Sequence, residues 1–342
     1  MPTFCRHSRF IERCPICSKT LPPRTPSEAS SARAKAPRAA RAGSAGTQRR
    51  HGHSGALRIR REGRAEDDGY RSELVPGLRA SADASRLAQE IAFSSARLLA
   101  LAVEPAGLYG EARSLAAHDL ERATWTCFLT AYLGPLESED PFAGIRLALG
   151  DGAGELPDLQ DIPLGPRTSH NPARGNETLA AYRQWIQRGG TAGAVAQAAS
   201  LAEGQAVAFT GDPEWSPGRR FERVFERLSL PGLSRMARYD LLVTLGRLGL
   251  YELTPDSLHL AGAGGLSADD ATTLAAKRVF GIGDPLLLER RATALAEAAS
   301  IAIETLDLAL ANWLAPQRAS MGCPPETYDD VAFELAGDAL GV

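Results

Sequence analysis

The feature that most constrains the fold is a glycine-rich turn between two helical patterns. The turn covers residues 280–283 (FGIG) and is followed by Asp284-Pro285, where the aspartate can cap a helix and the proline fits its first turn. Glycines permit such a tight turn more readily than residues with a Cβ. Backbone amides beside a helix N-terminus attract phosphate. The residues predicted to contact a phosphate backbone are Lys277, Arg278, Gly281, Ile282 and Gly283.

The first 20 residues contain a cluster of metal-ligand side chains. Cys5, His7, Cys14 and Cys17 lie within thirteen positions, and the last two have the two-residue spacing of a zinc knuckle. Three thiolates and one imidazole suit tetrahedral zinc and leave no open position, so the expected metal is structural. A redox thiol pair or free thiols are the alternatives. Structural zinc is the expected cofactor, without an organic cofactor.

Charge is distributed unevenly along the chain. Residues 1–64 contain 15 Lys and Arg against three acidic residues, although the whole chain has a net charge of −3. Residues 21–55 have almost no large apolar side chains and are predicted to be a disordered basic linker. The expected domains are a zinc knuckle at 1–20, this linker at 21–55 and a folded body at 56–342. A basic arm of this kind favours nucleic acid as partner over a merely solubilising role.

The body shows helical periodicity and few strand patterns, which predicts a mainly α fold. Helices are expected over 81–103, 112–133, 177–188, 191–201, 221–228, 234–249, 284–299 and 306–314. No apolar run approaches the ~18 residues of a membrane span. The N-terminus has no apolar signal region. We therefore expect a cytoplasmic protein without a membrane partner.

Several segments together resemble a known family. They are FCRHSRFIERCPICSK, LERATWTCFLTAYLGPL, RYDLLVTLGRLGLYEL, LAAKRVFGIGDPLLLERRA and LDLALANW. The chain resembles the alpha-glutamyl/putrescinyl thymine pyrophosphorylase family, clade 3, over about residues 56–315, with the zinc knuckle as an addition. That family belongs to the helix-hairpin-helix DNA glycosylase superfamily. The resemblance implies a body of that fold.

The resemblance also implies a catalytic aspartate about two dozen residues after the hairpin, at the mouth of a base pocket. Asp307 lies 24 residues after Gly283 and begins an apolar helix. A carboxylate is favoured at a helix start by the helix dipole, so a purely local role explains Asp307 equally well. Asp240, on the polar side of the predicted helix 234–249, is the alternative essential acid.

Two chemistries are compatible with this resemblance. The family name implies displacement of pyrophosphate from a modified thymine, and the fold implies cleavage of an N-glycosidic bond. A carboxylate stabilises the positive charge that glycosidic cleavage builds on the sugar. The helix after the hairpin starts DPLLLERRA, without the lysine of strand-cutting glycosylases, and no cluster of basic residues with Mg²⁺ carboxylates is evident. We therefore expect a monofunctional DNA glycosylase that leaves an abasic site.

The expected substrate is a bulky modified pyrimidine that is flipped out of double-stranded DNA. Relatives occur in phages with hypermodified thymines and in bacterial loci tied to conflict with phage, which implies excision from phage DNA as antiviral defence. The alternatives are a transferase or pyrophosphorylase acting on pyrophosphorylated hydroxymethyl-uracil in DNA, and a non-catalytic reader of modified DNA. Candidate residues of the base pocket are Trp125, Tyr132, His170, Arg174, Tyr251, Asn312 and Trp313.

Overall fold

The computed structural model describes residues 65–150, 156–188, 204–260, 270–324 and 326–342. This part of the chain contains α-helices and no strand, which confirms the predicted mainly α fold class. The helices are α1 (Ser81–Val103), α2 (Gly107–Leu115), α3 (Leu120–Leu133), α4 (Ala143–Leu149), α5 (Glu177–Gln187), α6 (Gln205–Thr210), α7 (Pro217–Arg227), α8 (Arg235–Arg247), α9 (Ala271–Phe280), α10 (Pro285–Ala298), α11 (Thr305–Leu314) and α12 (Asp330–Leu340).

The four predicted zinc ligands, the basic linker and the predicted helix 191–201 lie outside the described residues. Zinc binding, the linker and the three domain boundaries therefore stay predictions.

The core is built around α1, which packs against α11 and α12. Leu87, Ile91 and Leu98 recur at helical spacing along α1 and are buried. On one side of this centre α11 packs against α9, and on another α3 packs against α2 and α8. This arrangement places the start of α11, which carries Asp307, in the interior of the protein.

The long first helix also bears on the membrane question. Residues Ser81–Leu115, which cover α1 and α2, have the length and apolar composition of a membrane span. This differs from the expectation that no segment would approach that length. Half of the most apolar 18-residue window in this segment is buried inside the protein. A helix that is buried in a protein core is apolar too, so length and composition alone are weak evidence for a membrane span.

Local capping explains several of the helix boundaries. In the described part of the chain, six α-helices begin after a residue whose side-chain oxygen accepts a hydrogen bond from a backbone N–H in the first helical turn. These capping residues are Asp119, Ser216, Ser234, Asp270, Asp284 and Asp329. The predicted single helix over 112–133 is wrong for this reason. Residues 116–119 form a turn, and the carboxylate of Asp119 caps a new helix by accepting from the N–H of Arg122 at 2.9 Å.

The predicted turn between two helices is present. Helix α9 ends at Phe280, Gly281 adopts a left-handed φ of +64°, and α10 begins at Pro285 with the carboxylate of Asp284 as its cap. We call residues 281–284 the hairpin turn. A segment that the sequence did not single out, residues 71–79, packs against it, and we call that segment the strap. The N–H of Gly77 in the strap donates to the carbonyl oxygen of Val279 at 2.9 Å.

Candidate functional site

The hairpin turn lies at the surface, as an anion-binding turn requires. Gly281, Gly283 and Asp284 are exposed, while the preceding Phe280 is buried and anchors the turn. The backbone amides of Ile282 and Gly283 form no hydrogen bond with any residue that the structure describes. Exposed amides beside the N-terminus of α10 are suited to a phosphate oxygen.

The two glycines of the turn have different roles. Gly281 has a positive φ, which a residue with a Cβ adopts at a cost. Gly283 has an ordinary φ, and a Cβ there would meet no atom within 4 Å. The fold therefore requires glycine at 281 and not at 283, where its absence of a side chain leaves room for an approaching ligand.

Lys277 and Arg278, the other predicted phosphate contacts, are half-buried in the last turn of α9. Basic residues at that position also stabilise the negative end of the helix dipole. Their contact with phosphate stays a proposal.

Asp307 lies in a buried cluster of ionised side chains. Its Oδ1 accepts a hydrogen bond from Nη2 of Arg167 at 2.9 Å, and its Oδ2 accepts from Nη2 of Arg235 at 2.5 Å. All three side chains are buried, with Asp307 only 2% exposed. The hydroxyl of Thr272 in α9 donates to the backbone carbonyl of Asp307 at 3.2 Å. Both carboxylate oxygens of Asp307 are thus occupied by guanidinium groups.

The second candidate acid belongs to the same cluster. Nε of Arg167 donates to Oδ2 of Asp240 at 3.0 Å, and its Nη2 lies 2.9 Å from the same oxygen. Arg167 therefore bridges Asp240 on α8 and Asp307 on α11. It comes from the loop before α5, 140 positions from Asp307, and no sequence motif indicates its role.

The cluster is also connected to both helices of the hairpin. Nε of Arg235 lies 2.5 Å from the carboxylate of Asp270, the residue that caps α9. Nη1 of Arg235 donates to the carbonyl of Leu258 at 2.8 Å. The N–H of Leu258 in turn donates to the carboxylate of Glu289 on α10 at 3.0 Å. A chain of hydrogen bonds and ion pairs thereby joins both hairpin helices to the cluster around Asp307.

The electrostatics of this cluster keep Asp307 ionised. Burial would raise the pKa of its carboxyl, but the charges and hydrogen bonds of Arg235 and Arg167 outweigh burial and hold that pKa below its usual value. The carboxylate is consequently neutralised by two cations and does not face a cleft. This placement departs from the expectation that Asp307 points at the sugar of an extruded nucleotide.

A further arginine, Arg97 of α1, extends the cluster inward. It is 2% exposed and interacts electrostatically with Tyr109, Asp240 and Cys323. Its Nε and Nη2 atoms have no hydrogen-bond partner among the described residues, and neither has Nη1 of Arg167. Buried donors are nearly always paired in proteins, so these three nitrogen atoms are available to an anionic ligand or to water. Buried nitrogens of Arg227 and Arg238 are in the same condition elsewhere. Arg97 was not among the predicted site residues, because an arginine in an apolar helix carries no motif.

Four of the predicted base-pocket residues belong to the aromatic part of the core. The hydroxyl of Tyr132 is 2.9 Å from Nδ1 of His170, and the hydroxyl of Tyr251 is 2.7 Å from that of Thr124. These three predicted residues are buried, whereas Trp125 is half-buried at the edge of the stack. Packing in the core accounts for these side chains without a ligand.

The other three lie elsewhere. Nε1 of Trp313 donates to the carbonyl of Asp83 at 2.9 Å, and the side-chain oxygen of Asn312 accepts from the N–H of Ala319 at 3.0 Å. Arg174 is exposed, with its side chain 4.0 Å from Glu177. The seven predicted residues are therefore distributed over three environments and do not line a single pocket.

The predicted zinc site lies outside the described residues, so zinc binding stays a prediction. Within them, no group of three or more His, Cys, Asp or Glu side chains is arranged to hold a metal ion. The predicted zinc ligands are not part of this set. Cys127 and Cys323, which are part of it, are both free thiols.

A pH dependence of stability is expected from His259, which lies beside the cluster. Its ring stacks on that of Phe225, with 4.4 Å between the ring centroids. Burial, and to a smaller extent the charges of Arg235 and Arg238, lowers the pKa of His259 to about 4. An imidazole in the unfolded chain titrates near 6.5. The unfolded state thus binds more protons between these values, so the stabilisation present above pH 6.5 is lost as the pH falls toward 4.

Urea denaturation at pH 7.5 and pH 5.0 measures this effect. We expect the wild type to lose about 1–2 kcal/mol more on acidification than His259→Asn, since asparagine does not titrate and tolerates the left-handed φ of +53° at this position. Identical pH dependence in the two proteins would show that His259 does not contribute.

Comparison with known proteins adds one match. Residues 168–320 match the family model described as alpha-glutamyl/putrescinyl thymine pyrophosphorylase clade 3. The matched segment contains Asp240, Asp307, Arg235 and the whole hairpin, and it begins one residue after Arg167. No curated protein and no solved structure matches the chain.

Proposed function

Because residues 168–320 belong to the alpha-glutamyl/putrescinyl thymine pyrophosphorylase clade 3 family, we propose that the chain binds DNA through the hairpin turn and acts on a modified thymine that carries a pyrophosphate group. The observation that carries this proposal is the pair of buried arginines, Arg97 and Arg167, which both interact with Asp240 and both have N–H groups without a hydrogen-bond partner among the described residues. A family related to DNA modification makes DNA the natural partner.

Buried guanidinium groups with unpaired donors are costly, because desolvation of an N–H without a new partner costs about 1–3 kcal/mol. A pyrophosphate substituent would supply acceptors for these donors and negative charge for the guanidinium groups. Arginine is well suited to this role, since its planar donors bind phosphate oxygens in pairs. Asp240 and Asp307 hold the arginines in place and limit their mutual repulsion.

The corresponding reaction is a displacement at the methylene carbon attached to the thymine ring. A neutral amine nitrogen forms a bond to that carbon, the carbon–oxygen bond breaks, and pyrophosphate leaves with the electron pair. The substituted nitrogen then loses one proton to water. Arginines around the leaving group stabilise its developing charge. The family name couples thymine to glutamyl and putrescinyl groups, and both of these parent compounds contain an amine.

Access to the cluster requires movement. Its arginines and aspartates are almost fully buried, so a flipped base reaches them only after the loop that carries Arg167 shifts. The link between Arg235, Asp270 and the hairpin offers a route by which DNA binding favours that shift. Such work on DNA takes place in the cytoplasm, where the predicted zinc knuckle and basic linker would add contacts to the duplex.

Excision of a modified pyrimidine is the second candidate, as defence against phage DNA. It is favoured by the ionised carboxylate of Asp307, which lies with Asp240 in a cluster connected to the hairpin. An ionised carboxylate stabilises the positive charge that develops on deoxyribose during glycosidic cleavage. The two arginines on Asp307 weaken that effect, and for this reason we place excision second.

One experiment separates these candidates. The full chain is incubated with duplex DNA that contains pyrophosphorylated 5-hydroxymethyl-uracil, together with putrescine or glutamate. We expect released pyrophosphate and an amine-substituted base that stays attached to the sugar, seen by mass spectrometry of nucleosides. Free base with alkali-labile strands would instead identify a glycosylase, and DNA binding without either product would identify a reader.

The variant Arg97→Met tests the role of this arginine. Methionine fills similar space but removes the positive charge that interacts with Asp240 and Tyr109, so we expect a modest loss of thermal stability together with at least a ~100-fold loss of pyrophosphate release. Arg122→Met, at an exposed arginine of α3, is the matched control and keeps full activity. Full activity in Arg97→Met, or a large loss of stability, would refute this assignment.

A further inference from the structure

A second group of arginines surrounds a surface pocket next to the hairpin turn. The pocket has a volume of about 550 Å³ and is lined by Arg71, Ser72, Glu73, Pro76, Arg79 and Arg291. Arg71 and Arg79 belong to the strap, and Arg291 belongs to α10, the second helix of the hairpin. The strap lies outside the family-matched residues 168–320, so this pocket is a property of the chain beyond that match.

The strap and the hairpin turn form one continuous surface. The N–H of Gly77 donates to the carbonyl of Val279, and a Cβ on Gly281 would lie 3.2 Å from Cα of Gly77. Nη1 of Arg291 donates to the carbonyl of Glu73, which fixes α10 to the strap. The pocket therefore begins within a few residues of the exposed amides of the hairpin turn.

The positive charge in this pocket is only partly neutralised. Arg71 lies 3.3 Å from Asp67, a pair in which both side chains are 55% exposed, and such pairs contribute little. Glu73 supplies its backbone carbonyl to Arg291, and its exposed carboxylate is the single acid in the lining. Arg79 forms no ion pair within 4.0 Å among the described residues, although its charge acts on the nearby exposed carboxylate of Asp67. The lining thus presents three guanidinium groups against one carboxylate.

We propose that the pocket lined by the strap and Arg291, the strap pocket, binds two successive backbone phosphates of the DNA strand whose neighbouring phosphate is held by the hairpin turn. This inference rests on the proposed DNA binding and extends it to residues 71–79. The volume of the pocket, about 550 Å³, exceeds that of a single phosphate several-fold, which suits a stretch of strand better than one small anion. Arg79 and Arg291 are the positioning contacts, and they carry no information about base identity.

The salt dependence of DNA binding tests this proposal. Each phosphate contact contributes about 0.9 to the slope of log K against log salt concentration. We expect the double variant Arg79→Gln/Arg291→Gln to lower that slope by about 2 units, measured by fluorescence anisotropy of duplex DNA between about 50 and 300 mM KCl. The single variant Arg79→Gln, whose arginine side chain forms no hydrogen bond with the residues that the structure describes, is expected to lower the slope by about 1.

The control is the charge-matched double variant Arg122→Gln/Arg219→Gln, at two exposed arginines outside the pocket, which should keep the wild-type slope. A wild-type slope in Arg79→Gln/Arg291→Gln would overturn this inference alone. Absence of DNA binding by the wild type would overturn the proposed function as well. Calorimetric binding of inorganic pyrophosphate that the pocket variant loses, with an unchanged DNA slope, would assign the pocket to a free anion and overturn the proposal.

Discussion

Asp307→Asn lowers the free energy of unfolding by about 3 kcal/mol or more. The substitution keeps the shape of the side chain but removes the charge that two buried arginines, Arg167 and Arg235, require. Breaking a buried ion pair by removing one partner typically costs about 3–5 kcal/mol, because the remaining charge is left uncompensated. Urea denaturation followed by circular dichroism at pH 7 measures the loss.

The matched control is Asp330→Asn. Asp330 also lies in the first turn of a helix, α12, but is exposed. Its substitution removes only the interaction with the helix dipole, which contributes about 0.3–1 kcal/mol. Equal small losses in both variants would mean that Asp307 serves only to start α11.

This result governs how activity data for Asp307 are interpreted. A loss of activity in Asp307→Asn follows from either chemistry or collapse of the ion-pair cluster. Activity must therefore be compared with the folded fraction of each variant. Arg97→Met is less affected by this difficulty, since Arg97 forms no ion pair with Asp307 among the described residues and its removal leaves the pairs of Asp307 with Arg167 and Arg235 in place.

The second large effect is expected at Gly77. A Cβ at this position would lie 1.9 Å from the carbonyl oxygen of Arg278 and 2.6 Å from the N–H nitrogen of Gly281. Both contacts are with backbone atoms, so the strap and the hairpin turn must separate. We expect Gly77→Ala to destabilise the protein by about 2–3 kcal/mol, as overpacking commonly does, and to weaken DNA binding at least tenfold because the turn and the strap pocket lose their shared geometry.

Gly283→Ala provides the comparison for stability. An added methyl group there meets open space on an ordinary backbone conformation, so the unfolding free energy is expected to change by less than about 0.5 kcal/mol. Thermal denaturation of both variants and anisotropy with duplex DNA give the two measurements. A stable Gly77→Ala protein that binds DNA like the wild type would show that the strap is not fixed to the hairpin.

Local patterns were sufficient to predict much of the helical framework. The caps at Asp284 and Ser234 and the buried periodicity of α1 are properties of neighbouring residues, which act through backbone hydrogen bonds over one or two turns. The exposed hairpin turn was predictable for the same reason. The single helix over 112–133 was wrong because the cap at Asp119 competes with continuous apolar periodicity.

The amino-acid sequence by itself determined the mainly α fold, the hairpin turn and the family segment at 168–320. Only the tertiary structure decided that Asp307 is enclosed by Arg167 and Arg235, and that the strap lies against the turn. The physical reason is sequence separation. Arg235 and Asp307 are 72 positions apart, and Gly77 and Val279 are more than 200 positions apart. Such contacts arise from how the helices pack, so no local pattern of residue types predicts them.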